Sequence, residues 1–213
     1  RITVSFTPPG GTKTNDGSSS YFHNGGLGDS GNNTLSGTAK ADTFLGRAGN
    51  DSITGGGGND VLRGGAGNDT LTGGSGSDRL TGGSGSDVFD YVATSDGGAV
   101  SSNQTASAAG VSGDTIEDFV SGTDDYKFLS SGFGNLSTGV LSNGANFSSI
   151  NNAYDGTNPG SNSNHSSGNP SFIFDSTDTL YFDANGSSAG YTVIATTPGT
   201  DIVVADIEIV SSL

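Results

Sequence analysis

Between residues 28 and 90 the chain counts in nines, without a gap. The units read GDSGNNTLS, GTAKADTFL, GRAGNDSIT, GGGGNDVLR, GGAGNDTLT, GGSGSDRLT and GGSGSDVFD. Position six is Asn33, Asp42, Asp51, Asp60, Asp69, Asp78 and Asp87, and position eight is always apolar: Leu35, Phe44, Ile53, Leu62, Leu71, Leu80 and Phe89. Two ladders held in phase over seven units are not produced by coincidence, and a short fixed period is the mark of a stacked coil.

The unit divides in two. Its first six residues, G-G-x-G-x-D, predict a turn in which glycines take positive φ and direct carbonyls inward toward a cation. Its last three predict a very short strand whose middle residue faces inside. Two units then complete one turn of a coil, with strands on opposite walls and an 18-residue repeat. Loops opening at Gly28, Gly46, Gly64 and Gly82 stack on one edge, and those at Gly37, Gly55 and Gly73 on the other. Aspartates one coil turn apart, such as Asp51 and Asp69, become neighbours at the strand spacing of about 4.8 Å. A bare pair at that distance repels, whereas a divalent cation between them is bound by both.

Composition agrees. Only 30% of the 213 residues are hydrophobic and 38 are glycine, so a conventional thick core is not expected and some other term must offset the chain entropy. A net charge of −15 repels nucleic-acid phosphate and anionic lipid and favours cations. There is no cysteine, and His23 and His165 are the only histidines, which removes disulfides and the usual zinc and haem ligands and leaves hard oxygen donors. No run approaches the roughly 20 apolar residues of a membrane span. The chain opens at Arg1 and contains no methionine, which points to a processed product or a piece of something longer.

The repeats resemble the RTX (repeats-in-toxin, haemolysin-type) calcium-binding family, whose nonapeptide is a known repeat signature. The resemblance implies an all-β fold, a parallel β-roll or β-solenoid with a C-terminal β-strand cap. It also implies several calcium ions, about three to six, each held between same-edge loops by carboxylates and backbone carbonyls. Carried over, the ligating carboxylates are Asp42, Asp51, Asp60, Asp69, Asp78 and Asp87, with Asn33 in the first unit. The loop glycines are Gly46, Gly49, Gly55, Gly56, Gly58, Gly64, Gly65, Gly67, Gly73, Gly74, Gly76, Gly82, Gly83 and Gly85. The strongest sites are expected between Asp51 and Asp69, Asp69 and Asp87, and Asp60 and Asp78; those between Asp42 and Asp60, and Asn33 and Asp51, are weaker. GTAKADTFL keeps one of three glycines and GDSGNNTLS lacks the aspartate, so both units read as capping turns with fewer ions. The competing reading, glycine loops that turn the chain without metal, does not require an acid at one fixed phase.

Three segments follow: a strand and cap segment over 1–27, the calcium-binding roll over 28–90, and a β-rich capping and secretion-signal region over 91–213. The pattern D-x-I-x-D-F-x-x-G-x-D places Asp114, Asp118 and Asp124 near the last turn, and the resemblance gives Asp114 foremost to a terminal calcium site; solvated turn acids are the equal alternative. Residues 151–170 read as a surface loop with His165 exposed. The alternating runs SFIFDSTDTLYFD and YTVIATT resemble the paired capping strands of serralysin-like C-terminal segments, and the turn over 183–190 is a hairpin or a cation loop. In the final DIEIVSSL, Asp206, Ile207, Ile209 and Val210 fit an uncleaved export signal or a last edge strand.

The function expected is that of a secreted calcium-binding protein, extracellular or associated with the cell surface, exported unfolded by a type I secretion apparatus and folded by calcium outside. Its role would be structural, as a surface-layer, filament or adhesin component, with homotypic assembly and without nucleic-acid partners. The alternative is the export and folding module of a larger secreted protease or lipase. No HExxH or G-x-S-x-G occurs, so the chain itself reads as no enzyme. A minor alternative is ice binding through the hydroxyl rows Thr34/Ser36, Ser52/Thr54 and Thr70/Thr72.

Overall fold

The computed structural model describes residues 20–21, 25–97, 100–101, 113–133, 136, 139–140, 147–149, 171–175, 177–183 and 191–213. The expectations for residues 1–19, for the loop at 151–170 with His165, and for most of the turn over 183–190 lie outside the described residues.

Each nonapeptide contributes one strand, and successive strands alternate between two facing sheets. One sheet takes β1 (Ser20–Tyr21), β3 (Thr34–Ser36), β5 (Ser52–Gly57), β7 (Thr70–Ser75) and β9 (Val88–Tyr91). The other takes β2 (Gly26–Leu27), β4 (Thr43–Ala48), β6 (Val61–Ala66) and β8 (Arg79–Ser84). All these pairings are parallel and in strict register: Leu35 lies beside Ile53 and Ile53 beside Leu71, while Phe44 lies beside Leu62 and Leu62 beside Leu80. Position-eight side chains therefore stack in two rows that meet between the sheets, all buried in one core. Each contributes about 2 kcal/mol of burial, one side chain per nine residues, which is thin support for so much glycine.

Asp90 ends the nine-residue count but not the sheets. After a 3-10 turn at Thr94–Gly97 and β10 (Val100–Ser101), β11 (Asp114–Ile116) joins β8 in parallel and β12 (Asp125–Leu129) joins β9. Next come β13 (Gly139–Val140), β14 (Phe147–Ser149), β15 (Ser171–Phe174), β16 (Thr179–Asp183), β17 (Tyr191–Thr196) and β18 (Ile207–Val210). Of these, β17 adds in parallel to β11 and β18 to β12, giving the roll further rungs built from non-repeating sequence. Strands β15, β16 and β17 pair antiparallel, the paired capping strands expected of this segment. Strand β18 lies between β12 and β13 with Ile207 and Ile209 buried, so the terminal segment is an internal strand rather than an edge.

The thick core missing from the repeats sits at this C-terminal end. Tyr91, Tyr126, Phe128, Phe133, Phe172 and Phe182 are all buried, with Phe128 and Phe172 4.4 Å apart between ring centroids and Tyr126 stacked on Phe128 at 5.9 Å. A composition only 8% aromatic hides this because the rings are concentrated in one place.

The strands of complete units span six residues, not three. Strand β6 covers positions seven to nine of one unit and one to three of the next, so the glycine pair belongs to the strand, and the turn is confined to positions four to six. The glycines accordingly serve different needs. Position two (Gly56, Gly65, Gly74, Gly83) and position four (Gly49, Gly58, Gly67, Gly76, Gly85) take positive φ, whereas position-one glycines are extended and are needed for space. Arg47 occupies position two in the third unit and adopts φ 89, where a side chain costs about 1–2 kcal/mol.

Two substitutions at this position test the account in opposite directions. Arg47→Gly should raise folded stability by about 1 kcal/mol, the strain relieved less the entropy of a new glycine. Gly65→Ala, whose Cβ would overlap the carbonyl oxygen of Arg47, should lower it by about 3 kcal/mol or more. Denaturant unfolding in calcium measures both.

Candidate metal centre

The acidic residues at position six are turned inward and run up the two edges of the roll as carboxylate ladders. Asp42, Asp51, Asp60, Asp69, Asp78 and Asp87 are each 3% exposed or less, so their charge must be answered inside the protein. One oxygen of each interior carboxylate is answered by the preceding rung. The backbone N–H of Asp51 donates to Asp69 Oδ1 at 2.7 Å, that of Asp42 to Asp60 Oδ1 at 2.7 Å, and that of Asp60 to Asp78 Oδ1 at 2.7 Å. Asn33 donates to Asp51 in the same way, and Asp69 to Asp87.

The second oxygen is not answered. Oδ2 of Asp51, Asp60, Asp69 and Asp78 is buried and has no hydrogen-bond partner. Each lies in a cradle formed by the position-one glycine of its own loop. A Cβ on Gly46 would overlap Asp51 Oδ2, and the carbonyl oxygen of Gly64, one rung on, is 2.7 Å from the same point. Gly55 repeats the arrangement with Asp60 Oδ2 and the Gly73 carbonyl, and Gly64 with Asp69 Oδ2 and the Gly82 carbonyl. A buried carboxylate oxygen without a donor, facing carbonyl oxygens across a space kept free of side chains, is an oxygen-only cradle suited to a hard divalent cation. No cluster of three or more acidic, histidine or cysteine side chains that could hold a metal occurs among the described residues, so backbone carbonyls must complete any such shell.

Electrostatics marks the same residues. Burial, reinforced by neighbouring carboxylates, pushes Asp51, Asp60 and Asp87 up to about 6 and Asp78 up to about 7; burial also raises Asp69. Asp51, Asp60, Asp78 and Asp87 meet both desolvation and like charge, and a bound cation would offset both.

At the ends of the ladders the second oxygen is satisfied by protein. Thr38, which replaces the second glycine of its unit, donates to Asp42 Oδ2 from both N–H and hydroxyl at 2.8 Å. Asn33 offers a neutral amide oxygen to the Asp29 N–H at 2.8 Å. Asp114 takes the next rung above Asp78, accepting its N–H at 2.8 Å, but its other oxygen accepts the Tyr91 hydroxyl at 3.0 Å. Asp124 stands above Asp87 and accepts from Asp87 N–H at 2.9 Å and Val120 N–H at 2.8 Å. Asp206 closes that edge, receiving Gly122 N–H, Ser121 Oγ and Val203 N–H. The structure thus brings Asp114 and Asp124 into the ladders, adds Asp206, and makes Asp118 a cap on the N–H groups of Gly82 and Gly83.

A further ladder escaped the sequence reading. Position-five asparagines face the opposite way along the stack: Asn32 accepts the N–H of Asn50, Asn50 that of Asn68, Asn59 that of Ser77 and Asn68 that of Ser86. The signal was present. Position five is asparagine wherever another nonapeptide follows one turn later, apart from Ala41, and changes to Ser77 and Ser86 in the last two units.

The family model for the RTX calcium-binding nonapeptide repeat (four copies) matches residues 27–62 and 54–89, the segment that carries these cradles. No curated protein matches the chain. Among solved structures, one subunit of the Azotobacter vinelandii mannuronan C5-epimerase is similar at 24% identity over 87% of this chain and 81% of that one, with a TM-score of 0.29. A second subunit of that enzyme is 20% identical over 90% of this chain and 93% of its own, with a TM-score of 0.35. The repeat, its register and its oxygen cradles agree, and residues 27–89 are RTX calcium-binding nonapeptide repeats.

Proposed function

We propose that this chain is a secreted protein that calcium folds outside the cell into a rigid roll, and that the roll serves as an extracellular structural or surface-associated component. The observation that carries the proposal is the set of four buried, partnerless Oδ2 atoms on Asp51, Asp60, Asp69 and Asp78. Without cations the interior carboxylates repel one another and the thin core does not offset glycine entropy, so the repeat segment stays unfolded at cytosolic calcium and passes a type I secretion apparatus as an open chain. At extracellular calcium, Oδ2 and the facing glycine carbonyls would hold the ion between two rungs. The cradle exists only when both rungs are stacked, so binding and folding share one free energy.

Circular dichroism should show a cooperative gain of β-structure on titration with calcium, reversed by a chelator. Asp69→Asn should weaken the calcium midpoint by about tenfold or more, because its Oδ2 has no other partner. Asp42→Asn should change it little, because Thr38 already occupies the second oxygen of Asp42. Identical spectra and melts in chelator and in excess calcium would overturn the proposal.

Dependence on pH should change sign with calcium. The ladder carboxylates have folded values raised above the unfolded one, so without the ion they contribute stability that is present below the ordinary carboxylate value and lost as pH rises through about 6 to 7. Acidification of the calcium-free protein should therefore promote compaction. With calcium bound the carboxylates must be ionised, so stability should hold through that interval and fall only as pH drops to and below the ordinary carboxylate value of about 4. Thermal melts across pH, with and without chelator, read both slopes.

A further inference from the structure

The charge of the chain is strongly polarised along the roll. Of the seven basic residues, six lie at or before Arg79, and from Leu80 onward Lys127 alone stands against 15 carboxylates. Three of those cations form a line on the outer face of the second sheet. Arg79 shares a row with Thr43 and Val61, Arg63 the next row with Leu45 and Thr81, and Arg47 the third with Gly65 and Gly83. Each step toward Arg79 moves one rung on and two residues back, an oblique spacing of about 8 Å from strand separation and rise.

Arg79 is already answered: Glu117, from the acidic C-terminal segment of the same chain, forms an ion pair with it and also accepts the Thr81 hydroxyl at 3.0 Å. Arg47 and Arg63 are exposed and have no ion-pair partner among the described residues. Arg47 is also the strained residue, an arginine at φ 89 where the four following units have glycine, and a side chain kept at such a backbone points to a use.

The complementary surface is at the other end and on the other face. Asp125 and Glu208 project from the outer face of the first sheet, on β12 and β18, with Lys127 the one cation beside them among the described residues, 3.6 Å from Glu208. Asp125 is exposed, and the Glu208 side chain is 46% exposed.

We infer that the arginine line on the second sheet of one copy docks on the Asp125 and Glu208 face of a second copy, so that rolls join head to tail into a filament. The chemistry is the Arg79–Glu117 pairing repeated between molecules. The two patches lie on opposite outer faces of a two-sheet slab, so a two-fold pair cannot engage both at once; the contact is heterologous and propagates. This inference rests on the calcium-folded roll proposed above, since the rows align only when rungs stack and bound cations cancel the ladder aspartates beneath the arginines.

Sedimentation velocity and electron microscopy in millimolar calcium test it with two neutralised proteins, Arg47→Gly/Arg63→Ser and Asp125→Asn/Glu208→Gln. The wild-type chain should form species that grow with concentration and dissolve as salt rises. Each variant alone should be monomeric, and an equimolar mixture should stop at a one-to-one dimer, because each supplies one intact face. Assembly of either variant like the wild type, or a mixture that stays monomeric, overturns the contact. A monomeric wild type that binds polygalacturonate through Arg47 and Arg63 also overturns it and gives the arginine line to an acidic polysaccharide. Circular dichroism on the same samples separates the layers: a lost calcium response sinks the folding proposal, whereas a calcium-folded monomer sinks the filament alone.

Discussion

Four interior turns of this roll bury a carboxylate, on Asp51, Asp60, Asp69 and Asp78, with one oxygen bonded to the rung before and the other without a hydrogen-bond partner. A hydrogen bond from Asp51 N–H to Asp69 Oδ1 sets the distance between rungs, and the empty-handed Oδ2 beside Gly64 sets a condition for closing it. A buried ionised group without a partner costs several kcal/mol, more than one stacked leucine returns. Under the proposed function a cation supplies that missing partner, and the glycines, the asparagines at position five and the strict register keep its space open and aligned.

The period of nine made the rungs, the two sheets and the 18-residue register legible, because each unit must meet an equivalent unit. It also made the carboxylate ladder legible as far as Asp87. Beyond that the ladder continues through Asp114, Asp124 and Asp206, but connections of unequal length separate these rungs, so the period of nine no longer reveals them; Asp114 and Asp124 were legible only through the D-x-I-x-D-F-x-x-G-x-D pattern, and Asp206 was not read as a ladder acid. Register in a sheet is set by hydrogen bonding, which tolerates insertions in the connection, whereas a sequence period does not. The position-one glycines were read as turn residues because glycine signals positive φ; at Gly46, Gly55 and Gly64 the requirement is steric, the side-chain volume being taken by the carboxylate itself.

The terminal rungs show how such a ladder stops. Where the stack ends, each acid is given a protein partner for its second oxygen: Thr38 for Asp42, Tyr91 for Asp114, Val120 for Asp124, and Ser121 with Val203 for Asp206. The substitutions that weaken the nonapeptide consensus in the first two units are thus end fittings of one device.

This division orders the assembly of the fold. The C-terminal segment owns the aromatic cluster of Tyr126, Phe128, Phe133, Phe172 and Phe182 and acids that protein groups satisfy, so ordinary burial can hold it together. The repeats have one inward side chain per unit and need a neighbouring rung before any cradle exists. A stacked coil grows by nearest-neighbour addition, so its first rung forms best on a surface that is already folded. Strands β11 and β12 present that surface to β8 and β9 with Asp114 and Asp124 fixed in place, and each rung laid on them completes the half-cradle for the next toward the N-terminus.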